Sequence, residues 1–273
     1  MRRPRLLIAL GIVVMGLITY WQSRQVNPIT GEVQHIALTP EQEVALGLQS
    51  APGMAQQFGG LDDDEPLQRA IHGLGTRLVQ SSKAGQSPYE FRFYLLADTQ
   101  TVNAFALPGG PIFITRALLD RLENEAQLAG VLGHEIGHVI GRHSAEQIAK
   151  SQLAQSLVTA VGVAATDEQG RGGQGAAAIA GMVAQVVQMK YGREDELESD
   201  ELGVEILVSA GYDPRALLRV MDILREASGG GGGQPEFMST HPDPGNRQAT
   251  IQAKIDEMFP NGVDPALSTG ASF

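Results

Sequence analysis

The chain has 273 residues, enough for one good-sized domain with a substantial core, or at most two small ones. Its formal net charge of −11 has the wrong sign for a nucleic-acid partner, which needs a basic footprint against phosphate. With no cysteine, disulfides and a lipid-modified cysteine are excluded, while the compartment stays open.

Arg2, Arg3 and Arg5 precede an apolar run from Leu6 to Trp21 interrupted by Thr19, the pattern of a basic n-region and an apolar h-region. No small-x-small cleavage site follows directly, since Ile18, Tyr20 and Trp21 are bulky. The run is slightly short for a span of about 20 residues, although Tyr20 and Trp21 suit a membrane interface. Residues 1–22 are therefore expected to be an N-terminal signal anchor or a signal peptide. Either way the rest of the chain is extracytoplasmic, in the periplasm, with residues 6–21 contacting the inner membrane if the segment stays uncleaved.

Residues 23–38, with Pro28 and Gly31, read as a polar tether. Thr39-Pro40-Glu41-Gln42 is a capping box with proline at the first helical position, predicting a helix to about Leu48. A mobile acidic stretch is expected at Leu61–Glu65, then a helix over 66–82 with Leu67, Ile71, Leu74 and Leu78 on its apolar face. Tyr89–Leu96 reads as a strand with Phe91 and Phe93 on one face. Beside it, Val102–Leu107, Pro108-Gly109-Gly110-Pro111 and Ile112–Thr115 read as a hairpin.

His134-Glu135-Ile136-Gly137-His138 follows, inside a proline-free segment from Leu128 to Ile148 whose apolar residues recur at helical spacing. Histidines at i and i+4 share one helix face, so their nitrogens can meet one metal ion, while Glu135 can take a proton from water bound there. These are the working parts of a zinc hydrolase. Alone, the five residues are a weak signal, because histidine and glutamate are common on solvated helix faces. Zinc needs a third protein ligand, and Arg193–Asp200 is dense in carboxylates. On a helix, Glu196 and Asp200 lie at i and i+4, so Glu196 can ligate while Asp200 accepts a hydrogen bond from a zinc histidine. Glu194 and Glu198 are rivals, but neither has an aspartate four residues on. His143 is one residue, about a hundred degrees of helix, from where a third histidine ligand would stand, and reads as a surface or supporting residue.

Two apolar helices, about 145–165 and 176–190, are joined by a glycine-rich loop at Asp167–Gly175; they read as a core hairpin in preference to a mobile roof over the cleft. Asp213-Pro214 caps a further helix through Ala227, Gly229–Gly233 is a flexible spacer, and Asn246–Met258 forms the last helix. The domain spans 39–260, and residues 261–273 read as a loose tail.

Four ordered segments resemble the Ste24/HtpX-like zinc metallopeptidases, in particular their soluble-domain bacterial members. They are Asn103–Gly110, His134–His138 running on to Arg142-His143-Ser144-Ala145, Glu196–Asp200, and Ser239-Thr240-His241-Pro242 with Arg247. Ser199 departs from the family's usual alanine, a small change. The resemblance implies one Zn2+ per chain held by His134, His138 and Glu196, with Glu135 as general base. It implies that Asn103 and Ala104 lie on an edge strand that holds extended substrate. It sets His241 near the metal, either stabilising the transition state or closing the open coordination site, with Arg247 supporting that loop.

The expected fold is α+β and mainly helical, a zincin-like domain with a small three- to four-stranded sheet beside the HExxH helix. The expected activity is zinc endopeptidase action on unfolded or misassembled cell-envelope proteins, with a chaperone-like binding module for unfolded chains as the alternative.

Overall fold

The N-terminal apolar run forms helix α1, Arg3–Gln22, in the computed structural model, which describes residues 3–165, 191–229, 236–242 and 245–272. The chain divides into two compact units, Met1–Thr39 with Ser144–Met189 and Pro40–His143 with Lys190–Phe273. The expected loop at 167–175, the helix at 176–190 and most of the glycine spacer lie outside the described residues.

In the first unit, residues 23–38 are not a plain tether. They contain strands β1 (Arg24–Val26) and β2 (Val33–His35), paired antiparallel with Arg24 opposite His35. The reversal is made by Asn27, whose Oδ1 accepts from the backbone N–H of Ile29 at 2.8 Å and Thr30 at 3.2 Å, an Asx turn. Helix α6, His143–Ala165, meets α1 at small residues: a Cβ on Gly16 would stand 3.0 Å from Ser156 Cβ. Ile12, Met15 and Leu153 line the cleft between the two helices. Residues 144–165, expected inside the main domain, thus group with the N-terminal segment. Among the described residues, no helix is long and apolar enough to cross a membrane.

The second unit is mainly helical around one small sheet, as expected. Helix α2, Pro40–Gln57, runs past Leu48 and through Pro52. The proline removes one backbone bond, but buried Gly47, Ser50 and Met54 continue the packed face across it. The acidic stretch is pinned: Leu61 bridges Leu96, Asp62 N donates to Leu95 O at 3.0 Å, and Asp64 Oδ1 caps helix α3 (Glu65–Ser81) by accepting from Leu67 N. Strands β3 (Arg92–Leu96), β4 (Ala104–Ala106) and β5 (Pro111–Thr115) form the sheet in the order β3-β5-β4. The expected hairpin is the antiparallel β4–β5 pair, and β3 lies parallel to β5. Its turn needs glycine, because Gly109 (φ 76°) and Gly110 (φ 125°) adopt backbone conformations that L side chains resist.

Short helix α4 (Arg116–Leu119) leads to α5 (Glu125–Ile140), capped by Asn124 Oδ1 accepting from Gln127 N. Every residue of α5 from Ala126 to Ile140 is buried, so it is the central rod of this unit. Against it pack α7 (Arg193–Ser209), α8 (Arg215–Gly229) and, through α7 and α8, α10 (Arg247–Met258); α9 is the short helix Glu236–Thr240.

The segment after Pro260 is not loose. Ala271 O and Thr269 O accept from the N–H groups of Glu125 and Ala126, two of the donors that a helix start leaves without intrahelical partners. Ser268 exchanges two further bonds with the turn between α7 and α8, accepting from Asp213 N and donating to Gly211 O.

Three outcomes follow from this packing. In α3, a Cβ on Gly73 would meet nothing within 4 Å, whereas a Cβ on Gly75 would collide with the Phe93 ring. Gly73→Ala should raise stability by roughly 0.5–1 kcal/mol, the ordinary helical gain, while Gly75→Ala should lower it by about 1–3 kcal/mol, both read by urea unfolding. Deleting residues 266–273 removes the four main-chain bonds to α5 and to the turn between α7 and α8 and should cost about 2–4 kcal/mol in the same assay.

Candidate metal centre

The close crossing of α5 and α7 builds the site. It is possible because Gly133 and Gly137 on α5 face Gly203 and Ser199 on α7; a Cβ on Gly137 would lie 3.1 Å from both Ser199 Cα and Ser199 O. At that spacing the fully buried carboxylates of Glu196 and Asp200 reach the two α5 histidines. His134 Nε2 lies 3.0 Å from His138 Nε2 and 3.5 Å from Glu196 Oε2, and His138 Nε2 lies 3.4 Å from Glu196 Oε1. His241, delivered by α9, completes the group: its Nδ1 is 3.3 Å from His134 Nε2 and 3.0 Å from Glu196 Oε1.

Bonds of about 2.0–2.1 Å to a tetrahedral zinc separate neighbouring donors by about 3.3–3.4 Å. The pairs just given, 3.0 to 3.5 Å through one or the other oxygen of Glu196, are close to that spacing. Charge agrees. Among the described residues, three buried carboxylates, Glu135, Glu196 and Asp200, face one buried guanidinium, Arg247, a deficit of two positive charges if the histidines are neutral. Neither oxygen of Glu135, nor Nε2 of His241, has a hydrogen-bond partner among the described residues, and these atoms stand 3.7 Å apart across Oε1. The donor set therefore fits a divalent ion, with His134, His138, Glu196 and His241 at its four corners.

Around the donors lies a supporting layer. Asp200 Oδ1 is 3.0 Å from His134 Nδ1, and Arg247 grips Asp200 with two bonds, Nε to Oδ2 at 2.8 Å and an Nη2 bond to Oδ1 at 2.7 Å. The same guanidinium reaches Glu196 Oε2 at 3.0 Å. Tyr191 stacks on the His138 ring with centroids 3.9 Å apart, and Phe237 stacks on His241 at 4.4 Å. His143 is buried, not on the surface; its ring lies against His138 and Glu198 and does not join the four donors.

Burial and charge set the protonation preferences. Burial disfavours a charged His134, but hydrogen bonds to Asp200 and Glu196 outweigh it and raise its pKa to about 9. Burial holds His138 well below the ordinary histidine value against the pull of Glu196. Burial also raises Glu135, partly offset by His241 and His134, which makes it a stronger proton acceptor than a free carboxylate. Burial would raise Glu196 and Asp200 too. The histidines around Glu196, and Arg247 beside Asp200, reverse the sign and keep both ionised.

Asn103 and Ala104 reach the outer strand of the sheet, but the open edge expected there is not on display. Asn103 is 2 % and Ala104 0 % exposed, and Phe237 N donates to Val102 O at 3.2 Å, using a main-chain acceptor that an added strand would want. Asn103 Oδ1 is buried without a hydrogen-bond partner among the described residues. Sequence reasoning did not anticipate Tyr191, Phe237 or the buried setting of His143. Phe237 carries a readable signal, an aromatic four residues before His241; Tyr191 carries none.

Residues 65–255 match Peptidase family M48, and the chain belongs to that family. It is 31% identical over 261 residues to the "Beta-barrel assembly-enhancing protease" of Yersinia pestis, covering 93% of this chain and 51% of that protein. To the protein of the same name from Escherichia coli (strain K12) it is 32% identical over 207 residues, covering 73% of this chain and 41% of that one. To the "Mitochondrial metalloendopeptidase OMA1" of Schizosaccharomyces pombe it is 31% identical over 249 residues, 90% of this chain and 71% of that one. The chain thus spans about half the length of the bacterial relatives it matches.

Arg247 is the only guanidinium among the described residues that faces these buried carboxylates, so Arg247→Ala should destabilise the protein by about 3–5 kcal/mol in urea unfolding. Arg247→Lys should recover part of that loss, since an ammonium supplies charge without the fork that fits Asp200.

Proposed function

We propose that this chain is a zinc-dependent endopeptidase that cleaves unfolded or misassembled cell-envelope proteins. The observation that carries the reading is Glu135: a fully buried carboxylate with no hydrogen-bond partner among the described residues, beside a cluster of four metal donors. A structural metal site has no use for such a group.

In this reading His134, His138 and Glu196 hold one zinc ion per chain. When bound, the ion polarises the scissile carbonyl and lowers the pKa of a water from about 15.7 towards 7. Glu135 accepts the proton of the attacking water at a carboxylate oxygen and passes it to the leaving amine nitrogen. Its burial suits the first transfer, because a carboxylate stripped of water binds a proton more readily. Asp200 and Arg247 hold the His134 ring at the angle the ion requires. Substrate enters as an extended segment along β4, where a peptide N–H satisfies Asn103 Oδ1 and the backbone near Ala104 pairs once the Phe237 segment moves aside.

The names of the bacterial relatives support a cell-envelope role. Arg2, Arg3, Arg5 and the apolar face of α1 support an extracytoplasmic location, in the periplasm, with residues 6–21 touching the inner membrane. A second reading has its own observation: His241 Nδ1 stands at the fourth corner of the donor set, where a reacting water would sit. A chain held in that state would bind unfolded proteins and cleave little.

Zinc-loaded protein should degrade casein, and Glu135→Ala should bind zinc with casein cleavage reduced at least 10²-fold. Chelation should silence cleavage and zinc should restore it. Should wild type bind zinc through these residues yet leave casein intact, while His241→Ala cleaves it, the capped binding reading takes precedence. Failure of both proteins to cleave would sink the peptidase reading.

A further inference from the structure

Helix α5 stops at Ile140 and Gly141, and the next residue, Arg142, has φ 59°, the one non-glycine positive φ among the described residues. An L-residue resists that conformation, so something must hold it there. Arg142 is held by a buried ion pair with Glu43, its Nε donating to Oε1 at 2.9 Å, and Tyr89 donates its hydroxyl to the other Glu43 oxygen at 3.3 Å. The consequence falls on the following residue. His143, 1 % exposed, is turned back onto the metal centre, with its Nδ1 2.9 Å from Nδ1 of His138 and its Nε2 3.1 Å from Oε2 of Glu198.

The hydrogen-bond logic runs in one direction. His138 Nε2 faces the other donors, so its ring proton belongs on Nδ1, and that proton needs an acceptor. His143 can accept at Nδ1 only if its own proton is on Nε2, which is where the Glu198 carboxylate stands. The Ser199 hydroxyl also approaches His143 Nδ1, at 3.3 Å, a longer contact than that from His138. A histidine that merely fills the core needs one partner; this one is gripped at both nitrogens, in line with a metal donor.

We propose that Glu198 and His143 are positioning residues for the metal, a carboxylate–imidazole relay that fixes the tautomer and ring angle of His138. His134 has its own anchor in Asp200 and Arg247, so each α5 histidine is oriented by a carboxylate of α7, one directly and one through His143. This inference rests on the metal reading above.

The test compares the wild-type chain, His143→Ala, His143→Asn, Glu198→Ala and the double variant His143→Ala/Glu198→Ala. Zinc affinity is measured by competition with a chromophoric chelator, beside the unfolding midpoint of the metal-free protein. Asparagine sets its Oδ1 near the place of the imidazole Nδ1 and keeps the acceptor for His138. His143→Ala should weaken zinc binding about 10–100-fold. His143→Asn should recover most of that loss at an unchanged metal-free midpoint relative to His143→Ala. Glu198→Ala should weaken zinc less than His143→Ala and add little in the double variant. Equal zinc affinity in wild type and His143→Ala, or an asparagine variant no better than alanine, would reduce His143 to packing and overturn the relay alone. Wild type that fails to bind zinc would instead bring down the metal reading, and the relay with it.

Discussion

A single guanidinium holds the second unit together at its most polar point. Arg247 is 1 % exposed and spans Asp200 and Glu196, two carboxylates that the α5–α7 crossing has stripped of water. Ionised groups survive such burial only when paired and hydrogen-bonded. Without that cation the carboxylates would take up protons, His134 would lose the acceptor at its Nδ1, and Glu196 would present a weaker donor. The last helix, far along the chain from the histidines, is therefore as much a part of the centre as the HExxH segment.

The rest of the architecture serves to bring these groups close and keep them dry. Gly133, Gly137, Ser199 and Gly203 let two helix backbones approach until side chains on one reach side chains on the other. Asn124 and the C-terminal tail satisfy the start of α5, and Arg142 with Glu43 shapes its end. Both ends of the helix that carries His134 and His138 are thus fixed by groups distant in sequence. A rod so constrained can present two imidazoles at a set angle, which a frayed helix could not.

Much of this was legible in order but not in environment. Helical spacing marks α5 and α3, the Pro108-Gly109-Gly110 turn marks the β4–β5 hairpin, and the i, i+4 spacing of Glu196 and Asp200 names the residues that meet His134. Local signals failed where long-range contacts set the outcome. Residues 23–38 pair as strands because an Asx turn at Asn27 closes them, the acidic stretch is pinned to β3, and α2 continues through Pro52 because its packed face does. The tail looked loose because nothing in its own composition shows that its carbonyls will meet the open N–H groups of α5.

What the sequence by itself determined is the inventory and its local geometry: HExxH on an apolar helix, a carboxylate pair on a second, and a histidine and an arginine near the C-terminus. Periodicity fixes the two helical pairs because the helical repeat depends only on neighbours three and four residues away, while the histidine and the arginine are singled out by the family resemblance alone. Only the tertiary structure decided that His241 stands at the fourth corner, that His143 faces inward to His138 and Glu198, and that the β4 edge is covered near Val102. Those outcomes depend on where separate elements dock and on which polar atoms burial leaves without water, and no local spacing carries that information.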